Sequence, residues 1–132
     1  PIGKVTLLHE GEKVAVLSIG AIGNKAAKAV KKAEEAGMQV LHYNMRFIKP
    51  IDEELLQTAC QKAETIITIE DGALYGGLHS IVSEYIAQRG YNNRVVGLGI
   101  PDRFIEQGTV TQLQEECGYD IDSIYQTIVK NY

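Results

Sequence analysis

The sequence predicts an α/β fold, a three-layer α/β/α domain around a five-stranded mixed sheet with four parallel strands and one antiparallel edge strand. Three observations predict it. Two short strands open the chain, and the strands that follow alternate with amphipathic helices. Most of these strands are apolar along their whole length, as expected when both faces are covered. The connections between them are long enough for helical crossovers, which parallel neighbours require.

Length and composition indicate a single domain over residues 1–132. The 132 residues are 45% apolar and 23% charged, the ordinary globular mix. A net charge of −4 without a basic tract argues against nucleic acid and anionic membrane as partners. No apolar run approaches the roughly 20 residues that a membrane span needs. Because the chain opens at "PIGK", we expect it to be a piece of a longer protein.

The strands are predicted from short apolar runs. The opening "KVTLLHEGEKVAVLSIG" predicts two strands joined by a tight turn at Gly11, which would make them an antiparallel hairpin. The segments "VAVLSI", "MQVLHYN", "TIITIE" and "RVVGLGI" predict parallel strands near residues 14–19, 38–44, 65–70 and 95–99.

Helices are predicted where apolar residues recur at helical spacing. The segment after the second strand has a stripe of mostly alanine, with lysines 25, 28, 31 and 32 predicted on a solvated face. A second helix follows "RFIKPID", and a third buries a stripe that ends in Tyr85 and Ile86. The segments "TVTQLQEECG" and "DIDSIYQTIVKNY" predict two closing helices, the last of which turns Val129 inward. Cys60 and Cys117 lie on apolar stripes, which predicts buried reduced thiols in a cytoplasmic protein.

Polar residues follow each of the predicted parallel strands, at the edge where α/β folds bind ligands. These segments are Gly20–Gly23, Asn44–Arg46, Glu70–Asp71 and Pro101–Arg103. Such an edge could hold a ligand, or it could face another domain or solvent.

No segment carries a specific catalytic or metal-binding motif. "GAIGNK" and "GALYGG" lack the full dinucleotide and phosphate-loop patterns. A single anion at the helix start beyond Gly77 is one interpretation, and close backbone packing by Gly76 and Gly77 is the other. Glu70 could act as an acid or base, although a carboxylate there more often binds a helix N-terminus or an arginine such as Arg46 or Arg103.

Four segments resemble a known family in order and spacing: "PIGK…LLHEGEKVAVLSIG", "RFIKPIDEELL", "TIEDGALYGGLHS" and "LGIPDRFIEQG". They are similar to the C-terminal domain of the 1-deoxy-D-xylulose-5-phosphate synthase family, in the transketolase superfamily. The resemblance extends from Pro1 to about Ile128. The chain departs from the family pattern at Leu78 and His79, where "GGFGS" is usual, and at Gln107, where the family has histidine.

The resemblance implies a transketolase C-terminal fold and a role beside the catalytic domains. The family condenses pyruvate with glyceraldehyde 3-phosphate and releases CO₂, which supplies isoprenoid, thiamine and pyridoxal biosynthesis. It implies that thiamine diphosphate and Mg²⁺ lie in preceding domains, that those domains are the partners, and that the enzyme is a homodimer. No catalytic, cofactor or metal ligand is assigned to this chain. The candidate interface or structural residues are Arg46, Glu70, Tyr75, Gly76, Gly77, His79, Asp102 and Arg103.

Alternative functions stay open on the sequence. The same domain occurs in transketolases and in 2-oxo acid dehydrogenase β subunits. A sensor of a small anion such as phosphate or a diphosphate, bound at Gly76–Gly77, belongs to another class. An autonomous enzyme would need a nucleophile and a base, and no such pair is evident from the sequence.

Overall fold

The computed structural model of the chain describes residues 6–9, 13–45, 53–72, 76–100 and 110–132, with backbone only at 6–9 and 110–119. One five-stranded sheet runs through the domain in the order β1-β3-β2-β4-β5. The strands are β1 Thr6–His9, β2 Val14–Ile19, β3 Val40–Met45, β4 Thr65–Asp71 and β5 Arg94–Ile100. The helices are α1 Gly23–Glu35, α2 Glu53–Lys62, α3 Gly77–Arg89 and α4 Val110–Asn131.

The four strands β2 to β5 are parallel, which confirms the predicted α/β class. Strand β1 pairs antiparallel with β3, through Thr6 opposite Asn44 and Leu7 opposite Tyr43. The predicted hairpin between β1 and β2 is wrong, because β3 lies between them. The apolar strand β2 is central and bonds to β3 on one side and β4 on the other, so β1 pairs with the remaining edge of β3.

Two apolar cores cover the two faces of the sheet. Helices α2 and α3 lie over one face, around residues such as Leu17, Leu41 and Ile66. Helices α1 and α4 lie over the other, around Val16 and Ile67. The predicted alanine stripe of α1 is buried as expected, and it lets the helix approach the sheet closely.

Two predicted details of the closing helices change. One helix, α4, replaces the two predicted at the end of the chain and continues through Gly118. A glycine inside a helix costs about 1 kcal/mol, less than the roughly 1.5–3 kcal/mol gained by burying each of Ile124 and Ile128. Val129 does not point inward, since it is 39% exposed.

The lysine face of α1 is only partly solvated. Lys28 and Lys31 are exposed as predicted. Lys25 is instead half-buried, and its Nζ lies 2.9 Å from the buried Asp120 carboxylate of α4. The lysines of α1 therefore divide between solvent and a contact with α4.

Candidate functional site

The topology places two glycine-rich turns next to each other at the carboxyl edge of the sheet. Strands β2 and β4 are parallel neighbours. The helix after β2, α1, covers one face, and the helix after β4, α3, covers the other. Parallel sheets bind ligands at such a switch point, in the crevice between the diverging helices. A ligand of this fold is therefore expected at the turns Gly20–Gly23 and Gly76–Leu78.

At the second turn, the carboxylate of Glu70 occupies the N-terminus of α3. Glu70 ends the buried part of β4 and is 1% exposed. Its Oε1 accepts the N–H of Leu78 at 2.8 Å, and its Oε2 accepts the N–H groups of Gly76 at 3.2 Å and His79 at 3.1 Å. A negative group here is stabilised both by these donors and by the positive end of the helix dipole. Of the two roles weighed for Glu70, the structure shows the helix-capping one.

This arrangement argues against an anion bound at the start of α3. Three of the N–H groups that could hold a phosphate oxygen are engaged by Glu70, and its carboxylate would repel a second negative group. The glycines serve the turn itself. Gly76 has a φ of 111°, a left-handed conformation that residues with a Cβ rarely adopt.

At the first turn, the side chain of Asn44 fills the space beside Gly23. A Cβ added to Gly23 would lie 2.5 Å from the Asn44 Cγ and even closer to its Oδ1. Such a separation is far below van der Waals contact, so only glycine fits here without a shift of Asn44. This glycine therefore allows a close approach by the protein's own amide.

Asn44 belongs to a polar network beneath the first turn of α1. The Ser18 hydroxyl donates to Asn44 Oδ1 at 3.0 Å and lies 3.0 Å from His42 Nε2. Because the hydroxyl has one proton, which goes to Asn44, its oxygen accepts from the Nε2–H of His42. The network thus sets the imidazole tautomer.

The network joins a serine to a histidine but does not form a nucleophile with its base. Ser18 and His42 are both 0% exposed. The serine proton is donated to Asn44 rather than to the imidazole. A catalytic serine needs the opposite arrangement, with the histidine as acceptor and a substrate within reach. The arrangement instead satisfies buried polar atoms and ties β2 to β3.

The structure brings together half of the predicted site residues. Glu70, Gly76, Gly77 and His79 meet at the start of α3. The other predicted residues, Arg46, Tyr75, Asp102 and Arg103, lie outside the described residues. The predicted pairing of Arg103 is therefore untested.

Sequence reasoning missed the Ser18–His42–Asn44 network. In the sequence, Ser18 has no G-x-S-x-G motif and His42 has no histidine at metal-binding spacing, so no local motif marks either residue. The sequence pattern that indicates part of this network is the alternation in "VLHYNM", which puts His42 and Asn44 on one face of an otherwise apolar strand. Identifying Ser18 as their partner requires the register, which places Ser18 opposite Asn44.

A separate open cleft of about 750 Å³ lies at the opposite, amino edge of the sheet. One wall is fixed by Asn93, whose side-chain amide donates to the carbonyl oxygens of Cys60, at 2.9 Å, and Ala63 at the end of α2. Cys60 is a buried free thiol, as predicted, and burial raises its pKa. The lining residues are Lys13, Cys60, Gln61, Lys62, Ala63, Glu64, Tyr91, Asn92 and Asn93.

The carboxyl-edge turns do not fit thiamine diphosphate and its metal. A diphosphate would have to displace the Glu70 carboxylate from one turn and the Asn44 side chain from the other. Within the described ranges, no group of three or more His, Cys, Asp or Glu side chains is arranged to hold a metal ion. In the same part of the chain, no helix combines the length and the apolar character needed to cross a membrane.

Comparison with known proteins gives one consistent family. A family model described as "Transketolase, C-terminal domain" matches residues 3–124. The 1-deoxy-D-xylulose-5-phosphate synthase of Bacteroides fragilis is 46% identical over 132 residues, covering 99% of this chain and 20% of the relative. That of Caldanaerobacter subterraneus is 37% identical over 132 residues and is matched over 21% of its length. The chain thus spans about a fifth of the curated relatives it matches.

A solved structure with a similar fold is titled "Split gene transketolase, inactive beta4 tetramer". It superposes with a TM-score of 0.74 at 29% identity and covers 97% of this chain and 43% of its own. The sheet order, the two-sided helical cover and the family match agree with one another. This chain belongs to the transketolase C-terminal domain family.

Proposed function

We propose that the chain is the C-terminal domain of a 1-deoxy-D-xylulose-5-phosphate synthase and that it acts as a scaffold which docks onto the preceding domains. In this proposal the whole enzyme condenses pyruvate with glyceraldehyde 3-phosphate, with loss of CO₂. Thiamine diphosphate and Mg²⁺ are bound by other domains of a cytoplasmic homodimer. The curated relatives described above carry that enzyme's name, and this chain corresponds to about a fifth of their length.

The observation that carries the scaffold role is the occupation of both carboxyl-edge turns by the chain's own side chains. Glu70 takes the N–H groups of one turn, and Asn44 fills the other. A domain built to bind a phosphate-bearing ligand at its switch point would leave these groups available. This favours docking over the anion-sensor alternative.

We assign the docking surface to the same two turns. Gly20, Ala21 and Gly77 are exposed there, so this part of the surface offers backbone and a methyl group. The centres of protein interfaces are depleted in charged residues. The second turn is also anchored from below by hydrogen bonds to Glu70, and Asn44 packs against the first, so docking would cost little conformational entropy. Strands β3 and β5 end at the same edge of the sheet.

The experiment introduces a charge at the proposed surface of the full-length enzyme and a matched charge elsewhere. Ala21→Arg alters the first turn, and Ala87→Arg alters another exposed alanine, late in α3. The readout is the rate at which a protease releases this domain from the preceding ones, since cleavage follows the population of the undocked state.

We expect Ala21→Arg to speed release by about tenfold or more, equivalent to about 1.4 kcal/mol of docking energy. Ala87→Arg should leave the rate unchanged, and both variants should melt near the wild-type temperature. Equal release rates for the two variants would overturn this assignment of the docking surface.

A further inference from the structure

We propose that Glu70 is a positioning residue of this docking surface, because it holds the turn Gly76–Leu78 in the shape that the neighbouring domain contacts. The inference rests on the proposed docking function. It adds a residue that cannot itself contact a partner, since Glu70 is 1% exposed. Any influence of Glu70 on docking must therefore pass through the backbone that it binds.

Glu70 binds three of the four residues from Gly76 to His79. Its two oxygens accept N–H groups from Gly76, Leu78 and His79, at 3.2, 2.8 and 3.1 Å. These donors lie at the N-cap and in the first turn of α3. Charge-assisted bonds of this kind are about twice as strong as bonds between neutral groups.

The turn depends on an outside anchor because its own residues supply little restraint. Gly76, at the N-cap of α3, has a φ of 111° and no side chain to cap the helix. Glycine samples many backbone conformations, so fixing it costs more entropy than fixing any other residue. Leu78 is 0% exposed and anchors the turn to the core. Gly77, which lies between Gly76 and Leu78, is exposed.

The face of the turn opposite Glu70 is the surface proposed for docking. Gly77 and Ser80 are exposed on it, and the Ser80 N–H donates back to the Gly76 carbonyl at 2.9 Å. Glu70 thus binds the inner side of a backbone whose outer side is available to a partner. Weakening the inner bonds should loosen the outer surface before it unfolds the domain.

The test compares Glu70→Gln with Asn93→Ala in the full-length enzyme. Glutamine keeps the size of the side chain but loses the charge and one acceptor oxygen. Asn93→Ala also removes an anchor formed by one side chain to backbone groups, but at the amino edge and facing α2. The two variants are compared at temperatures equally far below their own melting points, which removes the general loss of stability.

We expect Glu70→Gln to speed proteolytic release of the domain about tenfold over Asn93→Ala, and to increase hydrogen exchange at Leu78 and His79 before global unfolding. Should Glu70→Gln fail to fold, Glu70→Asp retains the charge on a shorter side chain and should speed release by a smaller factor. Release of the folded Glu70 variant no faster than that of Asn93→Ala would overturn the inference.

Failure of this inference can be told apart from failure of the docking proposal. If Ala21→Arg speeds release while Glu70→Gln does not, the docking surface stands and Glu70 is only a helix cap. If neither Ala21→Arg nor Glu70→Gln changes release, both the docking surface and the positioning role are overturned.

Discussion

At the scale of the residue, position 23 requires glycine because the neighbouring Asn44 side chain occupies the space that a Cβ would need. The φ of Gly23, −56°, is ordinary for a helix, so the backbone itself would accept alanine. Replacing a helical glycine with alanine normally stabilises a protein by about 0.5–1 kcal/mol. Here the added Cβ would overlap the Asn44 amide, which cannot turn away without losing its bond to Ser18.

We therefore predict that Gly23→Ala destabilises the domain, by about 1–3 kcal/mol. Urea unfolding followed by circular dichroism would measure it. In the double variant Gly23→Ala/Asn44→Ala the overlap is gone, so the cost should be smaller than the sum of the two single changes. Additive costs would show that Asn44 is not the group that excludes the methyl.

Cys60 makes the stability of the folded domain depend on pH. Burial raises the pKa of its thiol above the ordinary value of 9.0. The folded state then holds the proton more tightly than the unfolded state does. Its contribution to stability is complete below about pH 9 and is lost as the pH rises through the folded pKa.

We predict that the free energy of unfolding falls between pH 8 and pH 10, and falls less steeply in Cys60→Ala. Urea titrations at closely spaced pH values would compare the slopes. Burial also raises the pKa of Tyr85 from 10.0, with a smaller opposing effect of Arg89, so any further loss at higher pH includes Tyr85. Parallel curves for wild type and Cys60→Ala would contradict the prediction.

At the scale of the element, the side chains that the structure describes include two lysine–aspartate pairs that join α4 to α1 in different surroundings. The Lys25–Asp120 pair has side chains only 24% and 5% exposed, with 2.9 Å between Nζ and Oδ2. The Lys32–Asp122 pair is 49% and 53% exposed, with 3.1 Å between Nζ and Oδ1. The exposed pair is well screened by water, whereas loss of the first would leave a charge partly desolvated.

Asp120→Asn should therefore cost about 1–2 kcal/mol, a value between those of surface and fully buried pairs. Asp122→Asn, the matched control on the same helix, should cost less than about 0.5 kcal/mol. Thermal unfolding at low and high salt would compare them. Equal shifts for the two variants would mean that burial does not distinguish the pairs.

The elements also show what sequence could predict. Apolar runs and helical stripes predicted all four parallel strands and the buried face of α1, because burial imposes those periods directly. The partner of β1 was not predictable from the turn at Gly11, because β3 and β4 already take both edges of β2. The continuity of α4 through Gly118 depended on tertiary packing that outweighs a local helix breaker.

The candidate site was predictable only in part for a similar reason. Glu70 could be recognised as a helix cap because it ends a strand just before a glycine turn and a helix. Ser18, His42 and Asn44 lie on two strands, and their contact depends on a register that no local pattern reveals. Contacts between residues close in sequence can thus be predicted from local patterns. Contacts between strands can be predicted only when the sheet topology and register are known.

At the scale of the whole molecule, we predict that this chain alone does not bind thiamine diphosphate. Both glycine turns at the switch point are occupied by Glu70 and Asn44, and a diphosphate would meet a fixed negative charge. Titration calorimetry with thiamine diphosphate and Mg²⁺ would test it, with the full-length enzyme as the positive control. Saturable micromolar binding by residues 1–132 would contradict the scaffold proposal.

The contact between α4 and α1 also sets a condition on how the domain is made. Lys25 and Asp120 are 95 residues apart in sequence, and Ile124 and Ile128 complete the core on the face of the sheet that α1 covers. Until these residues leave the ribosome, that face of the sheet lacks part of its cover. The nascent domain should therefore bind chaperones that recognise exposed apolar surface until α4 emerges, and fold cooperatively only after its synthesis.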